Sequence, residues 1–276
     1  ILGEGPVWVA REQALYWLDI KGLKIFRLDA HGRRTAWDTP FRICSLAPRR
    51  GGGFIAGTEH GVAMVDPEAA SFDLFGNPES DRPGNRFNDG KLDRAGRFWA
   101  GTMNDSERQA SGALYRVAHD RSWRRVDDAY RVTNGPAFSR DGRRMYHNDS
   151  ALQLTYVFDL DDEGVPSNRR IFARFDEGDG FPDGMTVDAD DCLWIAFWDG
   201  WCVRRYSPAG ELLETVRFPT ANITKIAFGG DDLRTAFATS ARQGMSEQEL
   251  ADQPEAGDLF AFDVAVPGLR STEVSR

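Results

Sequence analysis

Short runs of apolar, β-branched and aromatic residues recur along this chain, each entered through a polar turn. The runs Leu15–Ile20, Phe54–Gly57, Phe98–Gly101, Met145–Asn148, Leu193–Phe197 and Thr235–Thr239 begin about 40–50 residues apart. Behind each lies a second run of the same kind: Lys24–Asp29, Gly61–Asp66, Gly112–Val117, Thr155–Asp159, Cys202–Tyr206 and Gly257–Asp263. Turns such as Asp93 to Gly96, Arg140 to Arg143 and Asp188 to Asp191 precede the first series. They supply positive φ and local side-chain-to-backbone bonds. Such short runs, rich in residues that suit a pleated and half-buried surface, predict strands. Six units of about four strands at this period predict an all-β fold, a six-bladed β-propeller around a central channel. Helical pattern is confined to Ser246–Gln253, where Ser246 is followed three residues later by Glu249 in a capping box. With no linker or shift of composition, residues 1–276 read as one domain.

The register of the repeat brings the chemistry together. Glu4, Asp89, Asn134 and Asp183 each stand directly before a glycine at the start of a unit. In a propeller the innermost strand of each blade lines the channel, and its start forms the channel mouth. Four oxygen-bearing side chains at one repeat position therefore predict a shared site on the axis. Hard oxygen donors of this kind suit calcium, magnesium or manganese, and often iron or zinc. Without a cation, Glu4, Asp89 and Asp183 together would repel and desolvate one another. The plain alternative is that these are turn residues beside glycines. The matching regions of the other two units, Cys44-Ser45 and Ile223-Thr224, carry no charge, so the site is expected to be lopsided. Beside Asp89, Arg86 and Asn88 offer a guanidinium and an amide able to hydrogen-bond a polyol or carbonyl. Neutralisation of Asp89 by Arg86 is the simpler reading of that pair.

Composition narrows the picture. A net charge of −9, with 41% apolar residues, argues for a well-cored protein and against a nucleic-acid or anionic-membrane partner. No apolar run approaches the ~18 residues of a spanning helix. Cys44, Cys192 and Cys202 do not make a disulfide framework and read as buried free thiols of a cytoplasmic protein. Asp159 to Gly164 imitates the start of an EF-hand loop, but its twelfth position is Arg170, where a bidentate Glu belongs; a hairpin turn is expected instead. His147, on a strand, reads as a packed core residue.

With these residues assembled, the chain resembles the gluconolactonase/regucalcin (senescence marker protein) family. The resemblance rests on Leu2 to Trp8, Asn85 to Lys91, Gly96 to Met103, Thr133-Asn134-Gly135 and Phe181 to Met185. Phe228 to Gly230 and Gln253 to Gly257 extend it into the last unit. It implies a divalent metal held by Glu4, Asn134 and Asp183, with substrate contacts at Arg86, Asn88 and Asp105. Asp89 is then outside the ligand set, as a base or a supporting residue. It also implies hydrolysis of a sugar lactone such as glucono-, xylono- or arabinonolactone to the aldonic acid, with Asp183 or Asp89 as general base. An organophosphate or aryl-ester hydrolase, or a non-catalytic calcium-binding propeller, is the alternative. The expected partner is the small lactone alone, with the protein a monomer or weak homo-oligomer. Propellers commonly close by pairing strands from both termini. Because the chain begins close to Glu4, a strand from the N-terminal side is expected to be missing.

Overall fold

The computed structural model describes residues 1–274. Six antiparallel sheets follow one another in chain order. The first blade is Gly3–Val9, Ala14–Asp19, Lys24–Asp29 and Arg34–Asp38, and the second Ile43–Pro48, Phe54–Thr58, Gly61–Asp66 and Ser71–Gly76. The third is Asn85–Leu92, Phe98–Asn104, Gly112–Val117 and Trp123–Tyr130, and the fourth Thr133–Phe138, Arg144–Asp149, Leu154–Leu160 and Pro166–Arg174. The fifth is Phe181–Val187, Leu193–Trp198, Cys202–Tyr206 and Leu212–Arg217, and the sixth Ile223–Gly229, Thr235–Ser240 and Leu259–Asp263. The first strands of neighbouring blades touch in sequence, and that of blade six touches that of blade one. The ring is therefore closed, and the fold is the six-bladed propeller that the repeat predicts.

Burial follows from this arrangement. A single blade cannot cover its own apolar faces, so the core is divided among the contacts between neighbouring blades. Tyr16 and Leu18 of blade one pack with Ile43 and Phe54 of blade two, and Trp194 of blade five packs with Ile226 and Phe228 of blade six. The acidic turns are structural. Asp93 Oδ1 accepts from the amides of Ala95 and Arg97, and its Oδ2 accepts from Trp99 Nε1 at 2.9 Å. Asp188 repeats the device on Asp190, Cys192 and Trp194. Each acid thereby ties a turn to the aromatic residue of the following strand.

Among the described residues blade six has three strands, not four. After Asp263 the chain leaves the sheet and crosses the far end of the channel, bridging Gly268 to Asp188 and Val274 to Arg49. The seam between blades six and one is held by Thr224 Oγ1, which donates to Gly3 O at 2.6 Å, and by a bridge from Leu2 to Ala241. The predicted helix forms over Glu247–Asp252 with Ser246 as N-cap and the capping box complete. Asp161 to Val165 make a hairpin turn, as expected in place of a calcium loop. The three cysteines are free and buried. His147 is fully buried edge-on to Tyr130, but neither ring nitrogen has a partner among the described residues. Burial holds its pKa down at about 3, so it packs as a neutral ring. No helix among the described residues is long and apolar enough to cross a membrane.

Candidate functional site

In every blade the pairing of the innermost strand slips at the same height. The slips fall between Glu4 and Val7, Ile43 and Ser45, Asn134 and Ala137, Pro182 and Met185, and Ile223 and Lys225. In blade three the corresponding slip lies opposite Ala100 to Thr102. A bulge re-aims the side chains around it, and six at one level turn a ring of strand starts into a ring of inward-facing groups. The glycines serve this geometry in two different ways. Gly135 has φ of 90°, a left-handed conformation natural to glycine. Gly184 supplies clearance, since a Cβ there would lie 2.3 Å from Lys225 Cγ.

A cavity of about 450 Å³ opens at this level. Glu4, Asn134 and Asp183 line it together, with Arg86 and Asn88 beside them and Met103, Phe181 and Trp198 as apolar walls. Glu4 and Asp183 are buried, at 8% and 7% exposure. Burial, then the charge of Asp89, pushes the Glu4 carboxyl up to about 7. Burial, then Glu4 and Asp89, raises Asp183 well above the usual range, and Lys225 offsets both only in part. Asn134 is oriented by its neighbours: its Nδ2 donates to Ser150 Oγ at 2.8 Å, and Ser150 in turn donates to Pro182 O. Asn134 Oδ1 accepts from Asn88 Nδ2 at 3.1 Å and keeps a second lone pair. Among the described residues no three His, Cys, Asp or Glu side chains form a metal cluster; what Glu4, Asn134 and Asp183 bring to the cavity is two carboxylates and an amide.

The remaining predicted residues separate by what they touch. Arg86 donates from Nε to Asp105 at 2.6 Å and from Nη1 to Phe87 O and Asn88 Oδ1, which leaves Nη2 free of protein partners among the described residues. Asn88 Nδ2 spans Thr133 O and Asn134 Oδ1. Asp105 does not line the cavity; it is gripped by both Arg42 and Arg86, whose guanidiniums hold its carboxyl down at about 2 against the effect of burial. Asp89 does not line the cavity either. Its Oδ1 accepts from Gly90 N and from Lys225 Nζ, and its Oδ2 from Gly135 N at 2.9 Å. Both of its oxygens are thus engaged, one of them on the residue that follows Asn134.

Lys225 corrects the expectation of a chargeless sixth unit. One residue beyond the Ile223-Thr224 pair, it is buried and ion-paired with Asp89. The simpler reading of Arg86 also changes, because Arg86 neutralises Asp105 while Lys225 neutralises Asp89. The signal in the sequence was a lone charged residue inside an otherwise uncharged strand, Ile223–Gly229. Arg131 and Gln243, which also line the cavity, lie outside the repeated strings and carry no such signal.

Comparison with known proteins agrees with this architecture. A family described as "SMP-30/Gluconolactonase/LRE-like region" matches residues 2–242. The 6-deoxy-6-sulfogluconolactonase of Pseudomonas putida is 38% identical over 97% of this chain and 93% of its own length. Human regucalcin is 35% identical over 94% of this chain and 89% of its own length. Among solved structures, a regucalcin from Agrobacterium tumefaciens, described as a calcium-binding protein, superposes with a TM-score of 0.95 at 27% identity, covering 100% of this chain and 94% of its own. A gluconolactonase from Xanthomonas campestris superposes at 0.78 with 22% identity, covering 97% of this chain and 86% of its own, and speaks for the fold alone.

Proposed function

The chain belongs to the SMP-30/gluconolactonase/LRE-like family, and we propose that it is a metal-dependent lactonase opening the ring ester of a sugar lactone to the aldonic acid. One observation carries the reading: two buried acids and an oriented amide line the same cavity as a guanidinium with a free arm. The donor set fits a divalent cation, since oxygen ligands suit calcium, magnesium or manganese and are accepted by iron and zinc. The mutual repulsion of Glu4 and Asp183 is also what such a cation relieves. When bound, the cation supplies Lewis-acid polarisation of the lactone carbonyl and stabilises the developing oxyanion.

Glu4, Asn134 and Asp183 would hold the cation. Asp183 also takes the proton from the attacking water as general base. Arg86 Nη2 orients the ring oxygen or a hydroxyl, and Asn88 Oδ1 keeps one lone pair for another hydroxyl. Asp105 acts through Arg86, and Asp89 through Gly135 and Lys225. Arg131 lines the same cavity, and its side chain makes no hydrogen bond among the described residues. With the sulfonated lactone in the name of the Pseudomonas relative, this favours including lactones with an anionic substituent among the substrates.

The test is metal analysis of the purified protein coupled to pH-stat hydrolysis of neutral and sulfonated aldonolactones. Turnover that disappears with chelation and returns with a divalent ion supports the reading. Tight calcium binding with no turnover on any lactone would favour the calcium-binding role named for the Agrobacterium neighbour.

A further inference from the structure

The channel has a second chamber, at the end away from the proposed active site. It is lined by the later residues of all six innermost strands, including Trp8, Leu46, Lys91, Phe138, Thr186 and Lys225, and is covered by Leu269 to Thr272. Its volume of about 70 Å³ exceeds the 10–15 Å³ or so that one water needs. The lining is unusual for a protein of net charge −9. It carries Lys91, Arg94, Lys225 and Arg270, and no Asp or Glu. Lys225 is satisfied from above by Asp89. Among the described residues Arg94 donates only to the carbonyls of Ser139 and Arg270. Lys91 makes a single bond, to Thr186 Oγ1 at 2.8 Å, and has no carboxylate partner among the described residues.

Lys91 is half-buried, and an ammonium partly withdrawn from water without a counter-charge carries a cost. The protein relieves that cost by losing the proton or by taking in an anion, and a chamber of this size admits a halide but not a sugar acid. We propose that this lower chamber is a binding site for one small monovalent anion of the halide class, seated against Lys91 and Thr186 with Lys225 and Arg94 around it.

The site is coupled to protons. Burial and the charge of Lys225 draw Lys91 down to about 7, with Asp89 opposing and Arg94 adding to the fall. Arg270 is the other charged group on the lining. The anion binds the charged form of Lys91, so affinity is greatest below pH 7 and falls as pH rises past it. For a single linked proton the fall between pH 6 and pH 8 is about tenfold.

Crystals of the full chain grown in sodium bromide, with data collected at the bromine edge, give the direct test. The expected result is an anomalous peak within hydrogen-bonding reach of Lys91 Nζ, absent in Lys91→Met and kept in Lys91→Arg. In solution, chloride should raise the melting temperature of the wild type more than gluconate, a sugar acid too large for the chamber, does at equal ionic strength. That difference should shrink from pH 6 to pH 8. Density without anomalous signal at Lys91, or a bromide peak that survives in Lys91→Met, overturns the proposal. Should Lys91→Met fail to fold, the wild-type bromide map and the pH dependence of the chloride effect decide it.

Discussion

Asn88 Nδ2 donates to Asn134 Oδ1 at 3.1 Å and to Thr133 O at 2.8 Å, joining the third blade to the fourth at the channel mouth. The residue proposed to meet substrate is thus bonded to the residue proposed to meet metal. Asn88→Ala removes both bonds and a cavity-lining amide. It should raise KM for the lactone by about tenfold, the weight of one hydrogen bond to a neutral group, and change metal affinity less. Calorimetric metal titration beside lactone kinetics separates the two effects; a loss confined to metal binding would refute the assignment.

Asp183 and Asp89 occupy equivalent repeat positions with different surroundings. Asp183→Asn keeps one oxygen but loses the charge that holds a cation and accepts a proton. Turnover should fall by about 10²-fold or more, the usual contribution of a general base, with weaker metal binding. Asp89→Asn should leave metal affinity within about tenfold, in the lower range of losses from groups behind the ligands. The opposite ranking in metal titrations would show that the two roles are reversed.

The pairing of Asp89 with Lys225 gives a stability test independent of activity. Breaking a buried ion pair from one side leaves the other charge uncompensated and costs about 3–5 kcal/mol. Asp89→Asn and Lys225→Met should each destabilise on that scale, and the double variant should recover a large part of the loss. Denaturant titrations of the four proteins measure the coupling; strictly additive losses would mean that the two side chains do not depend on each other.

Protons and metal should compete at Glu4. Its folded carboxyl is raised to about 7 by burial and the charge of Asp89, so the metal-free fold binds this proton more tightly than the unfolded chain does. The sign follows from linkage: stability of the chelated protein falls as pH rises from about 4.5 to about 7. Metal affinity rises over the same window as the carboxylate forms. Melting curves in chelator between pH 5 and pH 7.5 check the first slope, which Glu4→Gln should flatten.

Gly184 tests the packing beneath the site. A methyl there would meet Lys225 Cγ at 2.3 Å and Cβ at 2.5 Å, contacts that require the lysine or the strand to move. Gly184→Ala should cost about 1–3 kcal/mol, in the range of overpacked cores. Gly184→Ala/Lys225→Gly, which removes both obstructing atoms, should show no such cost relative to Lys225→Gly alone. Thermal melts of these variants suffice.

The sequence was most legible where a repeat imposed period and register. Strands such as Phe54–Thr58 and Leu193–Trp198 could be read to within a residue because apolar runs and polar turns agree at every unit. Position within a unit fixes height on the axis, and Glu4, Asn134 and Asp183 do line one cavity, but the same argument included Asp89, which turns to Gly135 and Lys225 instead. What escaped was whatever depended on the bulges. A two-residue pairing argument puts Lys225 on an apolar strand, whereas the slip between Ile223 and Lys225 turns it into the channel to meet Asp89. The grip on Asp105 was also out of sight, since Arg42, its second partner, is 63 residues away and belongs to another blade. The three-stranded last blade was also hidden, because Val264 to Val274 has no period to reveal that it leaves the sheet.

The bond from Thr224 to Gly3 joins residues 221 apart, and this has a bearing on assembly. Glu4 lies just inside that seam and Asp183 two blades before it, so the two acids meet only once the first and last blades have docked. Contacts so distant in sequence form late and slowly, after most of the loop-closure entropy has been spent. A cation that needs both acids would grip only the completed circle and would act as a keystone for it. Time-resolved metal uptake during refolding would then report the final docking event and lag behind the appearance of β-structure.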